Sequence, residues 1–145
     1  MSNFSQPLKT IFAGTPEFAK PYLVALLNDA DFDVLGVITQ NDKPFGRSQE
    51  LAMPPIKELA LKHSLRIWQP EKLKESDQII KEITSLKPDI LVVVAYGQII
   101  PKKLLDTFKV GCFNVHPSLL PLYRGASPIQ NTLLNGDTET GITIM

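Results

Sequence analysis

The sequence has 145 residues, enough for one domain with a buried core, and its 43% hydrophobic and 21% charged composition is typical of a globular chain. Its 15 basic and 15 acidic residues leave a formal net charge of zero, so no overall field draws it to nucleic acid or to an anionic membrane. The single cysteine, Cys112, excludes an internal disulfide and fits a reducing compartment. The longest apolar run, 90–96, is too short to span a bilayer. We therefore expect a cytoplasmic protein with no membrane partner.

Short apolar runs recur along the chain, and each predicts a buried strand. The predicted strands cover residues 8–13, 34–39, 65–68, 89–95, 111–115 and 142–145. The run Ile-Leu-Val-Val-Val at 90–94 gives the strongest signal, because it is apolar on both faces, as strands of a parallel sheet are.

The segments between these runs predict helices. The first opens at Thr15, which is expected to cap it, and ends at 29–31; Pro16 suits the first helical position. Further helices are predicted at 56–62, 74–86, 101–108 and 127–135. Residues 40–55 hold several prolines and polar residues, and they are predicted to form a long loop of a length that is often functional.

This alternation of strands and helices predicts an α/β fold with an open, mainly parallel, twisted sheet and helices on both faces. In such sheets, ligands bind beyond the carboxyl ends of the strands. The segments expected at that edge are 14–16, 40–55, 96–98 and 114–125. The first of them lacks both the G-x-G-x-x-G and the P-loop lysine patterns, so a nucleotide cofactor is poorly supported.

The last of these segments carries the richest chemistry. Asn114 and His116 leave a strand two residues apart, so their side chains share a face. An amide N–H can stabilise an oxyanion that develops on a carbonyl, and a histidine can move protons at neutral pH. This pair suits acyl or formyl transfer through a tetrahedral intermediate, and a purely structural histidine is the alternative. No cluster with metal-ligand spacing surrounds Cys112, so we expect no metal.

The run Asn-Val-His-Pro-Ser-Leu-Leu-Pro at 114–121 resembles the signature of the folate-dependent formyltransferases. Further segments resemble the members of that family that act on methionyl-tRNA: residues 11–19, 93–101, 123–130, 136–137 and 139–145. The resemblance covers nearly the whole chain after a short amino-terminal extension. It implies a Rossmann-like formyltransferase domain.

The resemblance also implies roles for individual residues. The formyl donor would be 10-formyltetrahydrofolate, and no metal would take part. Asn114 would hydrogen-bond the formyl oxygen, and His116 would assist proton transfer or add positive charge there. The folate site would be lined by two groups of residues, namely Ser118, Leu119, Leu120 and Pro121, and Tyr96, Gly97, Gln98 and Ile99.

The partner that the resemblance implies is the initiator tRNA that accepts the formyl group on its methionine. In the family, a basic loop at the position of 40–55 reaches the acceptor stem, and Lys43 and Arg47 would contact the RNA there. The family pattern after this arginine is usually more basic than the Ser-Gln-Glu found at 48–50. A solvated loop without RNA contacts is the alternative.

Two further features of the family are expected to lie outside this sequence. One is a catalytic aspartate shortly after the strand at 142–145, and the other is a carboxyl-terminal tRNA-binding domain. Residues 1–145 are therefore expected to form an incomplete, monomeric amino-terminal catalytic domain, truncated in its last strands and nearly inactive alone. Two other functions stay open: transfer to another amine, such as an amino sugar or a ribonucleotide, and noncatalytic binding of folate.

Overall fold

The computed structural model describes residues 5–46 and 49–145. The strands in this part of the chain are β1 (Leu8–Gly14), β2 (Phe32–Ile38), β3 (Lys43–Phe45), β4 (Glu50–Ala52), β5 (Arg66–Trp68), β6 (Ile90–Val94), β7 (Gly111–His116) and β8 (Thr143–Ile144). The α-helices are α1 (Lys20–Asn28), α2 (Pro55–Lys62), α3 (Asp77–Ser85), α4 (Lys102–Leu105) and α5 (Pro128–Leu134). Short 3-10 turns at Glu17–Ala19 and Leu73–Glu75 precede α1 and α3.

The main sheet has six strands in the order β5-β2-β1-β6-β7-β8. Every neighbouring pair is parallel except β7 and β8, which are antiparallel. The predicted open, mainly parallel sheet is therefore confirmed. Its central strands, β1 and β6, end side by side, with Gly14 opposite Val94.

Helices cover both faces of this sheet, because the central strands carry apolar side chains on both sides. From β1, Ile11 and Ala13 belong to one core, which α3 completes with Ile83. Phe12 points to the other face, where it packs in a second core with Leu23 of α1. In the described part of the chain, no helix is both long and apolar enough to cross a membrane.

The segment 40–55 was predicted to be a loop, and this prediction was wrong in one respect. β3 and β4 form an antiparallel hairpin in which Lys43 lies opposite Ala52 and Pro44 lies opposite Leu51. Each strand is only three residues long, too short for an alternating pattern to stand out. Pro44 also lacks the N–H that a ladder normally uses, which argued against a strand.

Candidate active site

The carboxyl ends of β6 and β7 border an open cavity of about 500 Å3. Asn114 and His116 reach it from β7, and the turn that follows β6 contributes residues 96–99. Gly125, Ala126 and Pro128 line the cavity from the start of α5. Two of the predicted groups, the Asn–His pair and the turn at 96–99, are thus brought to one place.

Asn114 is held in position by the sheet on both sides. Its strand neighbour in β6 is Val93, and its backbone exchanges hydrogen bonds of 2.7 and 3.0 Å with Met145. Within residues 5–46 and 49–145, no partner bonds the side-chain amide of Asn114. A fixed backbone and an unused amide donor beside a cavity form an arrangement that can stabilise a negative oxygen.

His116 makes one hydrogen bond through its ring. Nε2 lies 3.0 Å from the carbonyl oxygen of Tyr123. Because a carbonyl oxygen can only accept, Nε2 must carry the hydrogen and donate it. The neutral ring then keeps its lone pair on Nδ1, which is the nitrogen that can take up a proton. Tyr123 has a left-handed φ of +53°, and its hydroxyl contacts Asp137.

The backbone carbonyl of Tyr96 joins three segments at the cavity. It accepts hydrogen bonds from Thr15 Oγ1 and from Gln40 Nε2, each 2.9 Å long. Thr15 was predicted to cap the first helix, and this was wrong: the 3-10 turn before α1 has Pro16 at its N-cap, without a side-chain cap. The threonine hydroxyl instead ties the end of β1 to the end of β6.

The side chain of Tyr96 is fully buried, and its hydroxyl has no hydrogen-bond partner in the described part of the chain. Burial raises the pKa of this phenol to about 12, because the charged form would lose its hydration. An unpaired buried hydroxyl is costly for stability. The ring therefore belongs to the core, and only the backbone of Tyr96 takes part in the turn.

The other three residues of the turn, Gly97, Gln98 and Ile99, differ in what they contact. Gly97 has a φ of +85°, a region that glycine enters without a steric penalty. The side chain of Gln98 is bonded to the backbone of 70–73: its Oε1 accepts from Leu73 N at 2.9 Å, and its Nε2 donates to Glu71 O at 3.2 Å. Ile99 is 80% exposed, so it offers apolar surface at the rim.

The segment Ser118–Pro121 does not line this cavity. Ser118 is fully buried, and its hydroxyl donates to Leu122 O at 2.7 Å. The peptide bond between Leu120 and Pro121 is cis. These residues fold the chain over the end of β7, and the folate contacts predicted for them stay a prediction.

The hairpin is linked to Tyr96 through the side chain of Gln40. Lys43 Nζ donates to Gln40 Oε1 at 2.5 Å, and a small cavity of about 180 Å3 lies between the hairpin, Thr15 and Gln40. Arg47, the other residue predicted to contact tRNA, lies outside the described residues. In the described part of the chain, no group of three or more His, Cys, Asp or Glu side chains is placed to hold a metal ion.

Gln40 lines the smaller cavity beside this site, and the sequence patterns did not indicate it as a functional residue. It sits two residues beyond the end of β2, inside a segment predicted only as a loop. The rule that places ligands beyond the carboxyl ends of parallel strands applied to it equally. A polar residue directly after Val-Ile-Thr at 37–39 was therefore the available signal.

A mainly parallel sheet with polar groups gathered beyond its central strands defines an α/β ligand-binding domain. Within that class, the chain belongs to the formyl transferase family, whose model matches residues 8–145.

Two curated relatives carry the name methionyl-tRNA formyltransferase. The protein of Trichormus variabilis is 51% identical over 138 residues, and that of Clostridioides difficile is 49% identical over the same length. Each alignment covers 95% of this chain but only 41% and 44% of the respective relative. The chain therefore spans less than half the length of these relatives.

Solved structures with the same fold include two enzymes named for phosphoribosylglycinamide or glycinamide ribonucleotide. Phosphoribosylglycinamide formyltransferase from Anaplasma phagocytophilum has a TM-score of 0.73 and 16% identity, over 95% of this chain and 63% of its own. Glycinamide ribonucleotide transformylase 1 from Geobacillus kaustophilus has a TM-score of 0.69 and 21% identity, over 94% and 73%. At such identities the likeness establishes the fold.

Proposed function

We propose that this chain carries a site that transfers a formyl group from 10-formyltetrahydrofolate to the α-amino group of methionine on initiator tRNA. The observation that carries the proposal is that Asn114 and His116 open on the same cavity as the turn at 96–99. The names of the relatives about 50% identical to it support methionyl-tRNA as the acceptor. We further propose that residues 1–145 correspond to the amino-terminal catalytic part of those relatives.

The proposed role of Asn114 is to stabilise charge on the formyl oxygen. When the amine nitrogen bonds to the formyl carbon, the carbonyl π electrons move to that oxygen. The Asn114 amide would donate a hydrogen bond to it, and because its backbone is held by β6 and Met145, little reorganisation is needed. Loss of one such donor typically lowers kcat about 100- to 1000-fold.

The proposed role of His116 is to receive a proton. The amine must attack as the neutral species and then lose a proton, while the nitrogen of the folate must gain one as its bond to carbon breaks. With Nε2–H donated to Tyr123 O, Nδ1 is the position that takes up and returns this proton. Atoms and charge balance, because the proton leaves one nitrogen and reaches the other.

The cavity would hold the ring end of the folate. Its volume of about 500 Å3 falls in the range of small-molecule sites. Gly97 and Ile99 would flank the ring, and Gln98 would support them from the 70–73 side. The segment Ser118–Pro121 would shape this site from behind β7 and contact the folate with its exposed parts, such as Leu119.

The hairpin would meet the tRNA acceptor stem. Lys43 is exposed on β3, and Arg47 follows it in the sequence. Two cations this close in the sequence suit phosphate contacts, whose strength would fall with added salt. A reaction on charged initiator tRNA takes place in the cytoplasm, so we also propose a cytoplasmic location.

The test is formyl transfer from 10-formyltetrahydrofolate to methionyl-tRNA, measured with the 145-residue chain and, where the gene continues, with the longer product. We expect Asn114→Ala to lower kcat about 100-fold or more. Asn28→Ala, an exposed asparagine at the end of α1, is the matched control and should keep the full rate. An Asn114→Ala protein as fast as the unchanged one contradicts the assigned role.

Two other outcomes separate the alternatives. Transfer to glycinamide ribonucleotide or to an amino sugar, with none to methionyl-tRNA, would assign another amine as the acceptor. Folate binding without transfer to any amine in the longer product would assign a noncatalytic binding domain. Binding of folate by the chain is measured separately, by titration calorimetry, so that loss of the ligand is not mistaken for loss of chemistry.

A further inference from the structure

The side chain of Gln40 connects two regions that the proposed function uses separately. Its Nε2 donates to the carbonyl of Tyr96, which begins the turn at the cavity. Its Oε1 accepts from the ammonium group of Lys43, in the first strand of the hairpin. One planar amide thus has its donor bonded to the turn and its acceptor bonded to the hairpin.

The turn is built around this amide. A Cβ placed on Gly97 would lie 2.2 Å from Gln40 Nε2, closer than any side-chain carbon can approach. The Tyr96 carbonyl has both of its acceptor positions filled, one by Gln40 and one by Thr15. The position of the 96–97 peptide therefore depends on where the Gln40 amide lies.

The backbone between Gln40 and the hairpin is also held in place. The backbone carbonyl of Gln40 accepts from Gln69 Nε2 at 2.8 Å, and Gln69 Nε2 also donates to Asp42 Oδ1 at 2.9 Å. Lys57 bonds both oxygens of Asp42, at 2.7 and 2.8 Å. The ammonium group of Lys57 and the amide of Gln69 hold the pKa of the Asp42 carboxyl below its ordinary value, so Asp42 is charged at neutral pH.

We propose that Gln40 is a positioning residue that couples the hairpin to the turn, so that RNA held by Lys43 and folate held beside Gly97 affect each other's binding. A phosphate that draws Lys43 away removes the cation from Gln40 Oε1. The amide then relaxes, and its hydrogen bond to Tyr96 O changes with it. Coupling of this kind is reciprocal, because each ligand shifts the affinity for the other by the same factor.

The existence of the link is tested first without any ligand, by the amide ¹⁵N shift of Gly97. This nitrogen belongs to the peptide group whose carbonyl Gln40 bonds. Lys43→Met should move the Gly97 signal in the unchanged protein and leave it in place in a Gln40→Met background. Lys62→Met, an exposed lysine at the end of α2, is the matched control and should not move it.

An unmoved Gly97 signal in Lys43→Met overturns the coupling. So does a movement of equal size in the Gln40→Met background, because the effect would then bypass Gln40. Gln78→Met, on an exposed position of α3, controls for replacing a glutamine by methionine. This arm stands whether or not the protein transfers formyl groups.

The functional consequence rests on the proposed function and is tested second. Affinity for 10-formyltetrahydrofolate is titrated with and without an RNA hairpin that mimics an acceptor stem. We expect RNA to change the folate affinity roughly fivefold in the unchanged protein, as is usual for coupled sites, and not at all in Gln40→Met. Equal factors in both proteins overturn the coupling. A protein that binds neither ligand overturns the proposed function, while the Gly97 signal still reports on the link.

Discussion

Two segments that follow the neighbouring strands β6 and β7 were expected to bind the same ligand, and they differ in where they lie relative to the cavity. The turn at 96–99 borders the cavity, and its backbone is held there by Thr15 and Gln40. Ser118–Pro121 lies outside the cavity lining, with the hydroxyl of Ser118 bonded inside its own segment to Leu122 O. The comparison teaches that segments resembling the same family can differ in whether they line the cavity.

The largest effect that sharpens this comparison is expected from Gly97→Ala in the turn. The substitution adds backbone strain at a φ of +85° and a collision with Gln40 Nε2. Gly136→Ala is the matched control, because Gly136 has a φ of +71° with open space around its Cβ position. Strain alone costs about 1–2 kcal/mol in each, and Gly97→Ala should cost more and weaken folate binding as well.

Chemical unfolding and folate titration measure the two effects of that pair. The additional loss in Gly97→Ala should shrink when Gln40 is also changed to alanine, since the collision partner is then gone. Equal losses of stability and unchanged folate affinity in the two glycine variants would mean that the turn does not shape the cavity.

The next largest effect is expected from Ser118→Ala in the other segment. The change removes a fully buried hydroxyl and the bond that it donates to Leu122 O, which costs about 1.5 kcal/mol. Ser85→Ala removes a similar bond, to Glu82 O, at an exposed position and should cost far less. Urea unfolding gives the difference, and the folate affinity of the folded protein should stay within about twofold. A tenfold loss of affinity at unchanged stability would place Ser118 against the ligand after all.

Much of this contrast lies beyond what the sequence alone predicts. The six strands of the main sheet were predicted because each contains a compact apolar run, and the rule about carboxyl ends brought Asn114, His116 and the turn to one edge. The bond from Gln40 to Tyr96 spans 56 residues, and so depends on how the strands are ordered in the sheet. The Thr15 cap was predicted from local preference, which a partner 81 residues away overrode.

A smaller effect is expected from Thr143→Val, which tests what holds Ser118–Pro121 in place. Thr143 Oγ1 donates to Ser118 O at 2.8 Å and accepts from Leu120 N at 3.1 Å. Valine keeps the shape and removes both bonds, at a cost of about 1 kcal/mol. Hydrogen exchange at the Leu120 amide should accelerate. Thr84→Val, in α3, is the control, because it also removes a threonine hydroxyl bond. Unchanged exchange of the Leu120 amide in Thr143→Val would show that β8 does not hold this segment.

The smallest effect is expected from Tyr96→Phe, and it has the opposite sign. Removing a buried hydroxyl without a partner should stabilise the protein by about 0.5 kcal/mol, because the packing lost with the oxygen offsets part of the gain. Because burial raises the pKa of Tyr96 to about 12, the unfolded chain releases this proton first, near the ordinary 10.0. Relative to the variant, the tyrosine protein should therefore lose stability as the pH rises from 10.0 towards about 12.

Thermal unfolding across that pH range measures this prediction. Tyr22→Phe, on a half-buried face of α1, serves as the control and should not change stability in the same way. A lower melting temperature for Tyr96→Phe at neutral pH would show that the hydroxyl has a partner in solution.

The absence of a side chain at position 97 also constrains how relatives of this chain can diverge. A Cβ at position 97 would take the space of the Gln40 amide, so a larger residue there requires the side chain at position 40 to move away or to be shorter. In either case the hydrogen bond from that side chain to the 96 carbonyl is lost or displaced. Substitutions at these two positions are therefore expected to appear as a correlated pair among family sequences.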